Sequence, residues 1–464
     1  MSHKVNLISR VTSATIILMV LFLYFAYHFP VDSNIDLIIT YTTLLMVYSC
    51  VGIIAILMLR RKSYDILEPM NIVVFLYISI FAIRPMNDII NNDFYEFGVD
   101  TLGSSVIGSL IVIVSLLFFY VGYYYKIKGF TFTENVNSEK NGDIQSTDWI
   151  INKSLIIWSI SFVFSVINLT LSGHNLSYVL SFGSMTSGEE EITSGIAALT
   201  YFAYSMIGPW LYICVYSKSK ILKVVLTFLM LSIYLIKGTR IVLLAMLMGG
   251  IVFYYLYNKK RPSFKSVIIG CITLVLFMSF IQISRNSVRY GQGISIDMVC
   301  ENIGVGNVFD SDMTTYKAFY CIIDTYPDKH DYTLGRAMIL QTFTTLIPRS
   351  IWSDKPVAVI REVIENSVNS SAAKAGRAAP GIAEYYFEFG IIGCCICMFI
   401  LGLLFKKWKN LFTNSQSVDD YILYSILYGL MFQLIIRTST SASIYQYLFT
   451  VLPIIFIKKS IYLK

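Results

Sequence analysis

The sequence predicts an all-α, polytopic membrane protein of about twelve transmembrane helices, interrupted by one long, partly helical outer loop. Three observations carry that reading. The chain is 56% hydrophobic and 14% charged, against about 25% charged residues in soluble domains. Apolar runs of about 18 to 25 residues, long enough to cross a bilayer, recur along it. Basic clusters fall in alternate connections between those runs, the pattern of a chain threaded back and forth with its Lys and Arg kept on one side.

In order, the expected spans are Val11 to Phe29, Ile35 to Leu59, Met70 to Ile83, Ser104 to Tyr125, Ser154 to Ser172, Gly195 to Tyr216, Ile221 to Ile236, Ile241 to Tyr257, Ser266 to Ile283, Ile382 to Phe405, Tyr421 to Ile436 and Ile444 to Ile457. The first has no small-residue cleavage site and runs straight into a second, so it reads as a retained helix and not as a removed signal. Three regions result: residues 1–283 with the first nine helices and short loops, residues 284–381 as a large extracytoplasmic loop, and residues 382–464 with the last three helices. Clusters such as Arg60-Arg61-Lys62, Lys259-Lys260-Arg261 and Lys406-Lys407 mark the cytoplasmic side and leave both termini there. The acidic turn Glu189-Glu190-Glu191 and the long loop take the other side.

The net charge of +7 does not point to nucleic acid, because the basic residues sit at helix ends and not on a stripe with interleaved aromatics. Cys394, Cys395 and Cys397 share one apolar helix with no histidine nearby, which is no zinc spacing. Cys300 and Cys321 both fall in the long loop, where a disulfide between them is open. No cytoplasmic connection is long enough for a domain of about 50 residues, and there is no Walker loop or dinucleotide fingerprint. Chemistry, if present, therefore belongs at the outer boundary, on a substrate that arrives already activated.

Polar residues at that boundary are few. Arg84, Lys237, Arg240 and Arg437 stand at span ends, and Lys237-Gly238-Thr239-Arg240 is a tight turn between two spans. Arg285 and Arg289 lie four apart on a helical continuation of the ninth span, on a stripe with Gln282. Each could snorkel to a lipid headgroup; several converging at one face suit a polyanion, because the planar guanidinium matches phosphate oxygens. Glu384 and Glu388 sit one turn apart at the mouth of the tenth span. Carboxylates so near hydrocarbon are costly unless paired, which leaves an ion pair with an arginine or a general base. The deeper spans hold almost no ionisable groups, against a proton-coupled transporter. Asp310-Ser311-Asp312 reads as a helix N-cap more readily than as a metal motif. His330, in Pro327-Asp328-Lys329-His330-Asp331, is a surface turn or a catalytic base. Met338 to Trp352 has the spacing of an amphipathic helix lying on the membrane, with Pro348 ending or kinking it.

Three elements in order carry a family resemblance: Gly238-Thr239-Arg240 between two spans; Leu346-Ile347-Pro348-Arg349-Ser350-Ile351-Trp352-Ser353-Asp354-Lys355-Pro356 in the outer loop; and Pro380-Gly381-x-x-Glu384-x-Tyr386-x-x-Phe389-Gly390-x-x-Gly393. From about Ile236 to Arg437 the chain resembles the Wzy-type O-antigen polymerases, which join oligosaccharide repeat units. The resemblance implies a membrane glycosyltransferase of GT-C-like architecture in the bacterial inner membrane, with no cofactor and no metal. It implies an undecaprenyl pyrophosphate-linked oligosaccharide as both donor and acceptor, and a flippase and a chain-length regulator as further partners. On that reading Lys237, Arg240, Arg285, Arg289 and Arg437 hold the pyrophosphate, Arg349 and Arg377 close over it, and Glu384 takes the acceptor's proton with His330 in reserve. An O-antigen ligase uses the same donor with another acceptor. A lipid-linked oligosaccharide flippase would instead need a central polar cavity and little outside the membrane.

Overall fold

The computed structural model describes residues 65–91, 93–125, 145–171, 197–237, 240–263, 314–347, 351–352, 354–369, 378–414, 417–437 and 439–462, with a few isolated positions between them. The first two expected spans and nearly all of the ninth lie outside the described residues, as do Gln282, Arg285, Arg289, Cys300, Asp310, Asp312, Arg349 and Arg377.

Among the described residues the chain is almost entirely helical. Pro69–Ile78 (α1) runs through a π turn, Ser79–Ile83, into Arg84–Ile90 (α2), so the expected third span is longer than its apolar core. Pro69 opens α1 where a missing N–H costs nothing. A two-stranded antiparallel hairpin, Tyr95–Glu96 (β1) and Val99–Asp100 (β2), then leads into Leu102–Tyr124 (α3). Gln145–Leu171 (α4) follows, then the pieces Ala197–Thr200 (α5), Phe202–Ser205 (α6) and Ile207–Tyr216 (α7), then Lys220–Lys237 (α8) and Arg240–Tyr257 (α9). The long loop contributes Thr315–Thr325 (α10), a π-helix Arg336–Leu340, Gln341–Thr344 (α11) and Val359–Ser367 (α12). The chain ends in Gly381–Asn414 (α13), Val418–Met431 (α14), Gln433–Ile436 (α15) and Thr440–Tyr462 (α16).

Seven segments among these residues are long and apolar enough to cross a membrane: Pro69–Met86, Leu102–Tyr124, Thr147–Leu171, Ala198–Tyr216, Gly381–Asn414, Val418–Ile436 and Thr440–Lys458. Each coincides with an expected span. The expected seventh and eighth spans are helices too, α8 and α9, although the apolar part of α9, Ile241–Tyr257, is shorter than those seven. Large apolar side chains such as Ile221, Val224 and Phe228 on α8 and Ile107 and Leu117 on α3 are exposed, as a bilayer-facing surface requires.

Two apolar clusters form the core. One gathers around α1, α3 and α13 and includes Tyr77, Phe119 and Phe405; the other gathers around α7, α8 and α9 and includes Tyr212, Met230 and Tyr234. Within membranes, helices associate by close backbone approach at small residues, and two glycine seams do this here. A Cβ on Gly122 would meet the Phe399 carbonyl at 2.2 Å and one on Gly402 the Phe119 carbonyl at 2.2 Å, so α3 and α13 cross antiparallel. Gly429 stands equally close to the Ala245 carbonyl, at 2.4 Å, and Gly249 faces Ser425, which sets α9 antiparallel to α14.

At the end of the bundle where α13 and α9 finish, buried charge is paired. Glu68 accepts from the Tyr123 hydroxyl at 2.8 Å and from Lys409 Nζ at 2.7 Å, while Arg261 reaches Asp65 at 2.5 Å. At the other end, Lys317 on α10 bridges Asp88 and Glu96, and the Tyr316 hydroxyl donates to Asp88. The loop helix is thereby tied to α2 and the hairpin. Cys321, on the same helix, is a free thiol whose Sγ donates to the Glu96 carbonyl at 3.8 Å; burial pushes its pKa up to about 12.

The glycine seams give a direct test. Gly402→Ala places a methyl group on the Phe119 carbonyl and is expected to cost about 1–3 kcal/mol through overpacking. Gly103→Ala, at a helical position with nothing within 4 Å of the new Cβ, should be neutral or slightly stabilising. Thermal unfolding of the detergent-solubilised protein distinguishes the two.

Candidate functional site

The residues that sequence reasoning selected gather, as far as they are described, at the end of the bundle that carries the long loop. The register of the helix pairs explains why. With Ala245 against Gly429 and Gly249 against Ser425 on antiparallel helices, the first residue of α9, Arg240, comes level with Leu434. Gly381, the first residue of α13, packs on that same Leu434 carbonyl, where a Cβ would come within 2.3 Å. Arg437 closes α15 three residues later, and α16 starts at Thr440. The ends of α13, α15 and α16 therefore meet, and the start of α9 lies at the same end of the bundle.

Glu384 lies where α13 meets the start of α16. It is 3% exposed, and its carboxylate lies on the N-terminus of α16: the Thr440 N–H donates to both oxygens, at 3.1 and 2.8 Å, and the Thr440 hydroxyl donates to Oε2 at 2.8 Å. A helix N-terminus presents unsatisfied N–H groups and a partial positive charge, so it stabilises a carboxylate without a cation. Among the described residues no arginine pairs with Glu384; neutral donors hold it instead, and the general-base reading stays open. Nothing in the sequence marks the partner, because a threonine 56 positions away carries no charge to flag it.

Glu388, one turn further along α13, is fully buried. Its Oε1 accepts from the Ala337 N–H at 2.7 Å and from the Thr333 hydroxyl at 2.5 Å. Oε2 has no partner. Directly after it the helix breaks: Phe389 has φ −141° and ψ 16°, and Gly390 has φ 65° and ψ −156°. The break leaves the Phe387 and Glu388 carbonyls without helical donors, and the N–H groups of Thr333 and Leu334 replace them at 2.9 and 3.1 Å. Gly390 is required twice over, by its positive φ and by the Tyr332 hydroxyl 2.9 Å from where a Cβ would lie. The motif Glu388-Phe389-Gly390 is thus a joint between the tenth span and the loop.

The remaining predicted residues fare unequally. His330 is exposed in the turn after α10, its N–H bonded to the Thr325 carbonyl at 3.2 Å, in agreement with the surface-turn reading. Arg437 is half-buried, and its guanidinium lies within electrostatic reach of the Tyr204 hydroxyl. Lys237 and Arg240 are described as helix termini only. Arg285, Arg289, Arg349 and Arg377 lie outside the described residues. Thr314, and neither aspartate of Asp310-Ser311-Asp312, holds the N-cap position of α10. Lys355, from the Trp-x-x-Lys-Pro element, donates to the Thr345 and Ile347 carbonyls at 3.1 and 3.2 Å and so finishes the helix before it. Arg336, which the sequence reading passed over, pairs with Glu362 through both terminal nitrogens, at 3.3 and 2.6 Å. Among the described residues no group of three or more His, Cys, Asp or Glu is placed to hold a metal ion.

A family model described as O-antigen polysaccharide polymerase Wzy matches residues 9–464, nearly the whole chain. No curated protein and no solved structure matches it.

If Glu384 organises the start of α16, Glu384→Ala should lower stability by about 1–3 kcal/mol, the cost of leaving buried donors unpaired. Thr440→Val, which removes one of the three hydrogen bonds and keeps the backbone donor, should cost less. Thermal unfolding of both variants in detergent measures the difference.

Proposed function

The chain belongs to the O-antigen polysaccharide polymerase Wzy family, and from that premise we propose that it joins lipid-linked oligosaccharide repeat units at the outer face of the bacterial inner membrane. The donor is a glycan on undecaprenyl pyrophosphate and the acceptor is the non-reducing end of a second lipid-linked unit. The single observation that supports this placement is that Glu384 and Arg437, with the start of α9 at Arg240, lie at the end of the bundle opposite Lys260, Arg261 and Lys409. By the positive-inside rule that lysine-rich end faces the cytoplasm, and the Glu384 end faces out. About twelve spans in a GT-C-like arrangement complete the proposal.

The chemistry needs three things of these residues. The acceptor hydroxyl oxygen forms a bond to the anomeric carbon of the donor; the bond from that carbon to the pyrophosphate oxygen breaks; and undecaprenyl pyrophosphate leaves with the electron pair. Arg240 and Arg437, with Lys237, Arg285 and Arg289, stabilise that departing charge as preorganised cations do, and Arg349 and Arg377 close over it from the loop. Glu384 takes the hydroxyl proton. Thr440 fixes the orientation of its carboxylate, and a carboxylate has about four lone-pair sites, of which Thr440 does not fill all. His330, on the loop, is the alternative acceptor.

Purified protein in proteoliposomes, given a pyrophosphate lipid-linked repeat unit, is expected to give a ladder of lengthened glycans. Arg240→Ala and Arg437→Ala should each lower the rate by about 10²–10³-fold, the usual effect of deleting one stabilising donor. Glu384→Gln, which still accepts from Thr440, should lower it by about 10²–10⁴-fold with little loss of stability. Release of lipid pyrophosphate without lengthened glycan, or translocation without turnover, would overturn the proposal.

A further inference from the structure

The described part of the long loop turns an apolar face away from the protein. Leu334, Ile339, Leu340, Phe343 and Ile351 are all exposed, Phe343 at 73% and Ile351 at 79%, and Trp352 lies beside them. Polar contacts anchor the same segment: Arg336, itself exposed, is paired with Glu362, Gln341 Oε1 accepts from the Val359 N–H at 2.9 Å, and Lys355 closes the helix end. A water-facing loop would not concentrate its large apolar residues on the side that no described residue covers.

The anchors also set the depth of this face. α13 has 34 residues, about 50 Å of helix at 1.5 Å per residue, so it overruns a hydrocarbon core of about 30 Å. Its unbroken apolar run is Phe389 to Phe405, about 26 Å, and Lys406 and Lys407 end it. The edge of the hydrocarbon at the Glu384 end therefore falls at the break, Phe389-Gly390, where Phe389, Ile391 and Ile392 are exposed. That is the level to which the loop is pinned, because Thr333, Leu334 and Ala337 all bond to Phe387 and Glu388. A second pin holds the other end of the segment: the Tyr445 hydroxyl donates to the Thr342 carbonyl at 2.5 Å, on the second turn of α16, next to exposed Ile444 and Leu448. The apolar face of the loop is thus continuous with the lipid-facing sides of two membrane helices.

We propose that Leu334 to Phe343, with Ile351 and Trp352, forms a wedge that beds among the acyl chains of the bilayer leaflet at the Glu384 end. Its occupant is bulk lipid, and the wedge exists whether or not the chain polymerises glycans. Trp352 and Lys355 are of the types that settle at the headgroup level. The wedge differs from the amphipathic helix expected over Met338 to Trp352 in beginning earlier, with Leu334, and in being stitched to the break in α13. The Ala337 N–H within it donates to Glu388, beside the hydroxyl of Thr333 just before it, so its seating in the lipid fixes the loop against the mouth of α13.

The test places one bimane fluorophore at a time on the full-length protein in phosphatidylcholine proteoliposomes, through Phe343→Cys, Ile351→Cys or, as control, Lys329→Cys, whose side chain is 61% exposed in the ion pair with Asp324. The parent protein labelled in the same way gives the background of the native thiols. With lipids brominated on the acyl chains, positions 343 and 351 are expected to show blue-shifted emission and to lose about half of it or more, as for groups about 5–10 Å below the headgroups, while position 329 is unaffected. Red-shifted, unquenched emission at 343 and 351 would place the face in water and overturn the proposal. Blue-shifted emission that brominated lipid does not quench would show that protein covers it, and would overturn the proposal equally. The two positions sit on separate parts of the wedge, so a folding defect in one variant leaves the other to decide.

Discussion

A buried carboxylate at the mouth of a membrane helix must find donors, and in this protein it finds them on the backbone. Glu384 takes the first N–H of α16, and Glu388 takes an N–H of the loop. Leaving such a group unpaired in a low-dielectric setting costs several kcal/mol, so these two contacts constrain more than themselves. The first holds α13 and α16 together at one end of the bundle; the second holds the long loop against the break in α13. Gly381 on the Leu434 carbonyl and Gly390 beside Tyr332 are consequences, because backbones this close leave no room for a Cβ.

The opposite end satisfies its buried charge in another way, and the contrast bears on function. There Glu68, itself buried, is neutralised by a lysine and a tyrosine hydroxyl, and Lys409 also sits over the rings of Tyr123 and Tyr124 at 5.2 and 5.6 Å. Such a site is closed, because each charge already has its counter-charge. At the loop end the donors on Glu384 and Glu388 are neutral amides and hydroxyls. Carboxylates held in this way do not compete with a diphosphate for positive charge. The Lys317 cluster with Asp88 and Glu96 at the same end is the exception, and it has a separate task, fixing α10 to the hairpin. There burial raises the Asp88 pKa, while the Tyr316 hydroxyl and the Lys317 and Arg84 charges pull it back.

How much of this was legible in the sequence follows from the range of each interaction. Helix positions were legible because apolar periodicity and length are local: the expected spans Ser104 to Tyr125 and Ser154 to Ser172 fall on α3 and α4, although α4 begins nine residues earlier, at Gln145. Glu384 stood out because a carboxylate beside hydrocarbon is costly wherever its partner lies. The partner itself was not legible, since Thr440 is polar but uncharged and the contact is made across helices. The joint at Phe389-Gly390 was hidden too, because a glycine inside an apolar run reads as ordinary membrane helix, and only the φ of 65° gives it a role. The long loop was read through its charges, whereas the residues that seat it, Thr333, Ala337 and Gln341, act through backbone and amide groups that composition does not weigh.

Arrangement and chemistry connect through the position of the loop. A lipid-linked diphosphate has its reactive bond at the headgroup level, with the chain below it in hydrocarbon and the glycan above it in water. A protein that acts on such a bond needs cations at that level, a proton acceptor beside them, and a surface that brings a water-borne sugar down to the same height. The convergence of helix ends around Glu384 provides the level, since helix termini at a bilayer edge are where Arg and Lys are tolerated. The stitching of residues 333–342 to α13 and α16 provides the height, because it carries the loop down to the edge of the hydrocarbon instead of letting it stand in solvent. A transporter gains nothing from a loop held at that depth outside its helices. An enzyme that must bring two lipid-anchored glycans into register does gain, because fixing both reacting groups at one plane removes much of the entropy cost of their encounter.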